Sequence, residues 1–262
     1  MIRVALIGAT GRMGLALVRA AADPLRVTAA VASAYSTALG KDVGDLAGVG
    51  KLGVVVTSEL PAALGQADVA IDFSSAQATL THLAACRKAR KPLLIGTTGA
   101  QLEEAELDNA ARDIPLLVAP NTSLGVTVLI ELVRQAAAAL PPAFDIEIIE
   151  AHHRMKKDAP SGTALALGKA AADGRGEPLD PVRREGAPRQ GSEIGFAVVR
   201  GGDLAGEHSV LFAGLGESLV LSHRATDRAI FARGALRAAA WLQSRAPGRY
   251  FMRDLFSKES GS

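Results

Sequence analysis

The sequence predicts an α/β protein: a parallel-sheet domain followed by an α+β domain with a mixed sheet. Three observations carry that prediction. Short apolar runs alternate with helical segments of about 10–15 residues from the N-terminus to Asn121. A glycine loop joins the first run to the first helical segment. Beyond Asn121 the alternation gives way to strand-like periodicity broken by glycine turns.

Taken in order, IRVALI at residues 2–7 reads as a buried strand, and GATGRMG follows it. LALVRAAADP has helical spacing and stops at Asp23-Pro24. RVTAAVAS, GVVVT, ADVAIDFS, KPLLIGTTG and IPLLVAPN continue the series, with helical segments between them, AQLEEAELDNAAR among these. Such a series builds βαβ units and a parallel sheet. LGVTVLIELVRQAAAAL is a long apolar helix ended by Pro141-Pro142. FDIEIIEAHH alternates as a strand, and a further helix opens at Ser161. Residues 173–192 are polar and rich in Gly and Pro, which predicts a surface loop, mobile or lying against another subunit. SEIGFAVVRGGDLAGEHSVLFAGLGESLVLSHRA reads as antiparallel or mixed strands, and FARGALRAAAWLQSR as a closing helix. The two parts join near residues 122–125.

A chain of 262 residues has ample material for a core, and 48% of it is hydrophobic. Seven Phe, two Tyr and one Trp make that core aliphatic. A formal charge of +2 gives no basis for a nucleic-acid or membrane-surface partner. The one cysteine, Cys86, excludes an internal disulfide, and its helical setting reads as a buried thiol. His152 and His153 are adjacent, which suits no shared metal ion, and no Cys/His set has zinc spacing; no metal is expected. The opening MIRVALIGATG reads neither as a signal peptide nor as a membrane span, so a cytoplasmic protein is expected.

The loop Gly8-Ala9-Thr10-Gly11-Arg12-Met13-Gly14 has G-x-x-G-x-x-G spacing, a variant of the dinucleotide fingerprint. Gly8 permits a tight turn, Gly11 lets the backbone approach a pyrophosphate, and Gly14 lets the helix pack on the strand. The helix start offers amides to the phosphates, and Arg12 adds a positive charge. The acidic residue that usually holds the NAD ribose is missing: no Asp or Glu lies between Pro24 and Lys41. Ala32 and Ser33 stand at the tip instead. Ser33, Ser36 and Lys41 suit a 2′-phosphate, so NADPH, or dual use with NADH, is favoured. Gly96-Thr97-Thr98-Gly99 and Ala119-Pro120-Asn121-Thr122-Ser123 follow later strands, as does Asp72-Phe73-Ser74. The carboxyl ends of parallel strands are where such sheets bind ligands, and the Asn121 carboxamide suits a nicotinamide.

The segment EAHHRMKKDAPSGTALALG at residues 150–168 gathers His152, His153, Lys156 and Lys157 ahead of a helix start. Ser161 suits the N-cap, with Asp158 as an alternative one turn earlier. Gly162 and Thr163 then carry first-turn amides at the positive end of the helix dipole. This is an anion site beside several cations, and it suits a small dicarboxylate. One carboxylate would take the helix end, the other His153 and Lys156. A protonated lysine also donates protons, and a histidine acts as donor or electrostatic partner.

With GATGRMG, DFS, GTTG, APNTSLGV, EAHHRMKKDAPSGTAL, IGFAVVRGGDLAGEH and YFMRDLF in place, the chain resembles the 4-hydroxy-tetrahydrodipicolinate (dihydrodipicolinate) reductase family over nearly its whole length. The resemblance implies a Rossmann-like domain over residues 1–122, completed by the C-terminal segment 232–262. It also implies a mixed-sheet substrate and tetramerisation domain over 123–231, hence a homotetramer. It implies NAD(P)H-dependent reduction of a cyclic dicarboxylate, with loss of water, in lysine and diaminopimelate biosynthesis. His152 would be proton donor or acceptor and Lys156 proton donor; His153, Gly162 and Thr163 would bind substrate. Gly8 to Met13, Gly96 to Thr98 and Ala119 to Thr122 would contact the dinucleotide. The chain departs from the family pattern at Ala32-Ser33, where an acidic residue and Arg are common, at Thr122, where an aromatic is frequent, and in a shortened polar segment near 173–190. An aspartate dehydrogenase and a nucleotide-sensing regulator are the rival readings; the HHRMKKDAPSGTA run argues against both.

Overall fold

The computed structural model describes residues 1–179, 181–182, 189 and 193–257. They fall into two compact units, Met1–Ser123 with Ala229 onward, and Leu124–Arg228. Each has its own sheet and its own apolar core.

The first unit alternates strand and helix: β1 (Ile2–Ile7), α1 (Arg12–Ala20), β2 (Leu25–Val31), α2 (Val43–Ala47), β3 (Val56–Thr57), α3 (Leu60–Gly65), β4 (Val69–Asp72), α4 (Thr79–Lys88), β5 (Leu93–Ile95), α5 (Glu104–Ala111) and β6 (Pro115–Val118). The second unit opens with α6 (Leu124–Ala139) and β7 (Asp145–His152), then α7 (Gly162–Arg175) and the short β8 (Pro181–Val182). It continues with β9 (Ile194–Arg200), β10 (Glu207–Ala213) and β11 (Ser218–Arg224). The chain returns to the first unit as α8 (Ala229–Leu242), β12 (Gly248–Tyr250) and a 3₁₀ turn, Met252–Phe256.

Among the described residues the first sheet has the order β12-β6-β5-β4-β1-β2-β3, all parallel. This is the doubly wound Rossmann order with one strand added, and the order reverses between β1 and β4. Central strands buried on both faces explain the unbroken apolar runs: all four residues of β4 and all three of β5 are buried. Helix α8 packs on α1 and on β4, β5 and β6. Strand β12 was not legible in the sequence; GRY carries no strand signal and is placed by its neighbour, pairing with β6 while Arg249 binds Glu104 and Asp108 of α5. GVVVT keeps only two strand residues, because β3 is an edge strand with a single neighbour. The predicted helix in AQLEEAELDNAAR begins only at Glu104.

The second sheet, β11-β10-β7-β9-β8, is mixed: β7 runs parallel to β9 and antiparallel to β10. Helices α6 and α7 pack together and against one face. Gly174 permits their closeness, since a Cβ there would lie 2.3 Å from the Arg134 carbonyl oxygen. Helix α7 runs to Arg175 with Gly176 (φ +70) as its left-handed cap, so the loop predicted from 173 starts later than expected. Of that predicted loop, residues 180, 183–188 and 190–192 lie outside the described residues, as do 258–262. No helix among the described residues is long and apolar enough to cross a membrane.

Candidate active site

In the first unit the parallel strands end in a row, and each exit is tied to its neighbour by backbone hydrogen bonds. Ala119 N–H donates to the Ile95 carbonyl, Gly96 to Asp72, Phe73 to Ile7, Gly8 to Val31 and Ala32 to Thr57, at 2.8–3.0 Å. The glycine loop, GTTG, APNTS and the Ala32-Ser33 tip therefore share one edge of one sheet.

Gly8 has φ +80, and a Cβ on it would lie 2.4 Å from the Phe73 carbonyl oxygen. A Cβ on Gly14 would lie 2.4 Å from the Gly8 carbonyl oxygen, so this glycine sets the close contact of α1 with the loop. A Cβ on Gly11 would meet only the Gly8 oxygen, at 3.3 Å. Helix α1 has no side-chain cap and no acidic residue in its first turn. Its first helical bond runs from Leu15 N–H to the Gly11 carbonyl, which directs the amides of Arg12, Met13 and Gly14 out of the helix end. An uncapped helix start approached over glycine backbone fits a dinucleotide pyrophosphate. Ala9 is buried with its amide on Val31, Thr10 is half-buried, and Arg12 is exposed.

Beside the loop, Asp72 is fully buried. Its carboxylate accepts from the Ser74 amide at 2.8 Å and the Thr97 hydroxyl at 3.2 Å, and pairs with His82 Nδ1 at 2.9 Å. Gly96 has a packing role: a Cβ there would lie 2.2 Å from the Phe73 ring. Thr98 is exposed. Asn121 Oδ1 accepts from the Ser123 amide at 2.9 Å, so that oxygen shapes the APNTS turn. Thr122 is buried, and its hydroxyl donates to the Phe231 carbonyl at 2.7 Å, fastening the returning α8. Ser33 is exposed on the tip, its hydroxyl accepting from the Tyr35 amide.

In the second unit the inward positions of β7 read Ile146, Ile148, Glu150, His152, all buried. Opposite them on β10 stand Phe212, Val210 and His208, and on β9 Arg200 faces His152. The sheet face is thus apolar at one end and polar at the other. Glu150 Oε2 takes His152 Nδ1 at 2.6 Å and Arg200 Nη1 at 2.7 Å; Oε1 takes Arg200 Nη2 at 2.8 Å and the Ser161 amide at 3.1 Å. Burial pushes this carboxyl up, but the bonds from Arg200, His152 and Ser161 outweigh it and hold it below the usual carboxylate range. Burial holds His152 below the usual imidazole range, against the pull of Glu150.

Ser161 is the N-cap of α7, its hydroxyl accepting from Ala164 N–H at 3.1 Å. The same hydroxyl also shares a hydrogen bond with His208 Nε2, 3.0 Å away. Burial and the neighbouring His152 push His208 down to about 4, so the ring is neutral. Asp158 does not cap the helix; its carboxylate holds Lys156 Nζ at 2.7 and 2.8 Å. Gly162 is exposed with open space where a Cβ would stand, and Thr163 follows it, half-buried. His153, half-buried, donates its amide to the Leu204 carbonyl. Glu150, Arg200 and His208 were missed by sequence reasoning. The available signal was a polar residue at an inward position of a strand: Glu150 continues the Ile146–Ile148 face, and His208 the Phe212–Val210 face.

Two family models match the chain: dihydrodipicolinate reductase, N-terminus, over residues 2–122, and dihydrodipicolinate reductase, C-terminus, over residues 125–256. A 4-hydroxy-tetrahydrodipicolinate reductase of Alkalilimnicola ehrlichii is 50% identical, covering 97% of this chain and 98% of the relative. One of Anaeromyxobacter dehalogenans is 48% identical over 100% of both. A solved dipicolinate-bound dihydrodipicolinate reductase from Paenisporosarcina sp. TG-14 matches with a TM-score of 0.78 at 25% identity, covering 96% of this chain and 97% of that one.

Proposed function

The chain belongs to the dihydrodipicolinate reductase family, and from that premise we propose how its residues divide the work. Its reaction is the NAD(P)H-dependent reduction of 4-hydroxy-tetrahydrodipicolinate to tetrahydrodipicolinate, with loss of water, in lysine and diaminopimelate biosynthesis. The bound nicotinamide cofactor supplies the hydride. The loop from Gly8 to Met13 would hold its pyrophosphate, with the outward amides of Arg12 and Met13 at the helix start as donors, and Gly96 to Thr98 with Ala119 to Thr122 would hold the nicotinamide end. Ser33 meets the adenosine ribose. The chain has no Asp or Glu between Pro24 and Lys41, which favours NADPH or dual use.

One substrate carboxylate takes the start of α7 at Gly162 and Thr163; His153 and Lys156 take the other. That the Paenisporosarcina relative holds dipicolinate, a ring with two carboxylates, supports a dicarboxylate site here. Lys156 Nζ donates the proton that follows hydride arrival, and Asp158 holds it in place beforehand. His152, with Nδ1 on Glu150, offers Nε2 as acceptor or electrostatic partner. The carrying observation is the joint placement of Lys156 and His152 ahead of a capped helix start, near enough for Lys156 to help depress the imidazole.

A homotetramer is proposed on the outer sheet face of the second unit, where Ile149, Val199 and Val220 are exposed. A cytoplasmic location fits the biosynthetic reaction. A steady-state assay with enzymatically generated substrate tests the reading. Turnover is expected with both cofactors, and KM for NADPH no higher than for NADH. A strong NADH preference would overturn the cofactor assignment, and oxidation of L-aspartate instead would overturn the substrate.

A further inference from the structure

We propose that Glu150 is a positioning residue that joins the His152 imidazole and the start of α7 into one unit, with Arg200 as its clamp. The proposal rests on the reading that His152 and the α7 start meet the substrate. Each Glu150 oxygen holds one functional piece and one Arg200 nitrogen: Oε2 takes His152 Nδ1, Oε1 takes the Ser161 amide, and Arg200 spans both oxygens. Arg200 Nη2 also donates to the Asp158 carbonyl at 2.7 Å. The loop that carries Lys156 is therefore tied to the same carboxylate.

Fold stability gives no reason for a carboxylate here. The two preceding inward positions of β7 are isoleucines, and a buried ion pair is often no better for stability than apolar packing of the same volume. A carboxylate brings a direction that an apolar side chain lacks. Being an acceptor only, Glu150 requires the hydrogen on His152 Nδ1, and Nε2 is then the lone-pair face. The same carboxylate accepts the amide of the α7 N-cap residue, so a shift of the imidazole and a shift of the anion site are no longer independent. Relative placement of a proton-transfer group and a substrate carboxylate is what a reduction with protonation needs.

The test is Glu150→Gln, read per folded molecule. Expected is a fall in kcat of about 100-fold, with NAD(P)H affinity unchanged. Histidine-nitrogen NMR at mildly alkaline pH is expected to show His152 as a single Nδ1–H tautomer in the wild type and as a mixture in the variant. A wild-type kcat together with an unchanged tautomer would overturn the proposal. If Glu150→Gln fails to fold because the half-buried Arg200 is left without its carboxylate partner, Glu150→Gln/Arg200→Met removes both charges. A folded double variant with wild-type kcat overturns the proposal equally. Failure of the underlying reading is seen elsewhere: His152→Gln would then turn over substrate normally.

Discussion

Each unit holds a buried carboxylate on the Nδ1 of a histidine, and the two pairs differ in what surrounds them. Asp72 and Glu150 are 0% and 1% exposed, at 2.9 and 2.6 Å from His82 and His152. Asp72 sends its remaining bonds to the Ser74 amide and the Thr97 hydroxyl, so it shapes two loops. Glu150 sends its own to a guanidinium and to the helix N-cap, so it aims an imidazole and fixes a helix start. Under the proposed function, main chain meets the cofactor in the first unit while side chains hold the loops in shape, and side chains carry the chemistry in the second. Substitutions should therefore fail differently in the two units.

The largest effect is expected at Lys156. Lys156→Ala should lower kcat by about 10³-fold while the folded variant keeps its NAD(P)H affinity, because a positioned proton donor supplies a factor of that order. Near-normal turnover in single-turnover and steady-state kinetics would break the contrast. In the first unit a glycine takes the comparable place. Gly14→Ala puts a Cβ 2.4 Å from one backbone oxygen and 2.5 Å from another, neither of which is a flexible side chain. A loss of about 3 kcal/mol in stability is expected, along with weakened cofactor binding, by denaturation and fluorescence titration.

Next comes acid sensitivity of the second unit. His208 stays neutral when folded, at about 4 against an ordinary 6.5, so unfolding takes up a proton that the folded state refuses. The stability it contributes is complete above the ordinary value and falls as pH drops toward 4, by about 3 kcal/mol. His208→Gln keeps a neutral hydrogen-bonding partner for the Ser161 hydroxyl and should flatten denaturation midpoints across that window. An unaltered pH slope would remove His208 as the source. The smallest effect is expected at His82. His82→Ala leaves Asp72 with its amide and hydroxyl partners, and KM for NAD(P)H should rise about five-fold with little change in kcat. A kcat loss as deep as that of Lys156→Ala would erase the distinction between the units.

The two units were also unequally legible. Beta-alpha alternation and the glycine spacing predicted the first sheet because its strands are local apolar runs and the turn after β1 is set by glycine backbone. Helix α7 and its Ser161 cap were legible for the same reason: a cap acts within one turn. Asn121 and Thr122 were less so. Their side chains serve the APNTS turn and the returning α8, and the second of these contacts spans 109 positions of sequence. Strand β12 likewise has no local signature and exists because β6 offers it an edge.

Local chemistry along the chain was enough to determine the glycine turn after β1 and the Ser161 cap of α7, since glycine spacing and caps act over a few residues. Strand pairing alone decided that Arg200 and His208 stand beside Glu150 and His152, at sequence separations near fifty. A lone carboxylate in an apolar strand is a cost until such partners arrive, and only the packed sheet brings them.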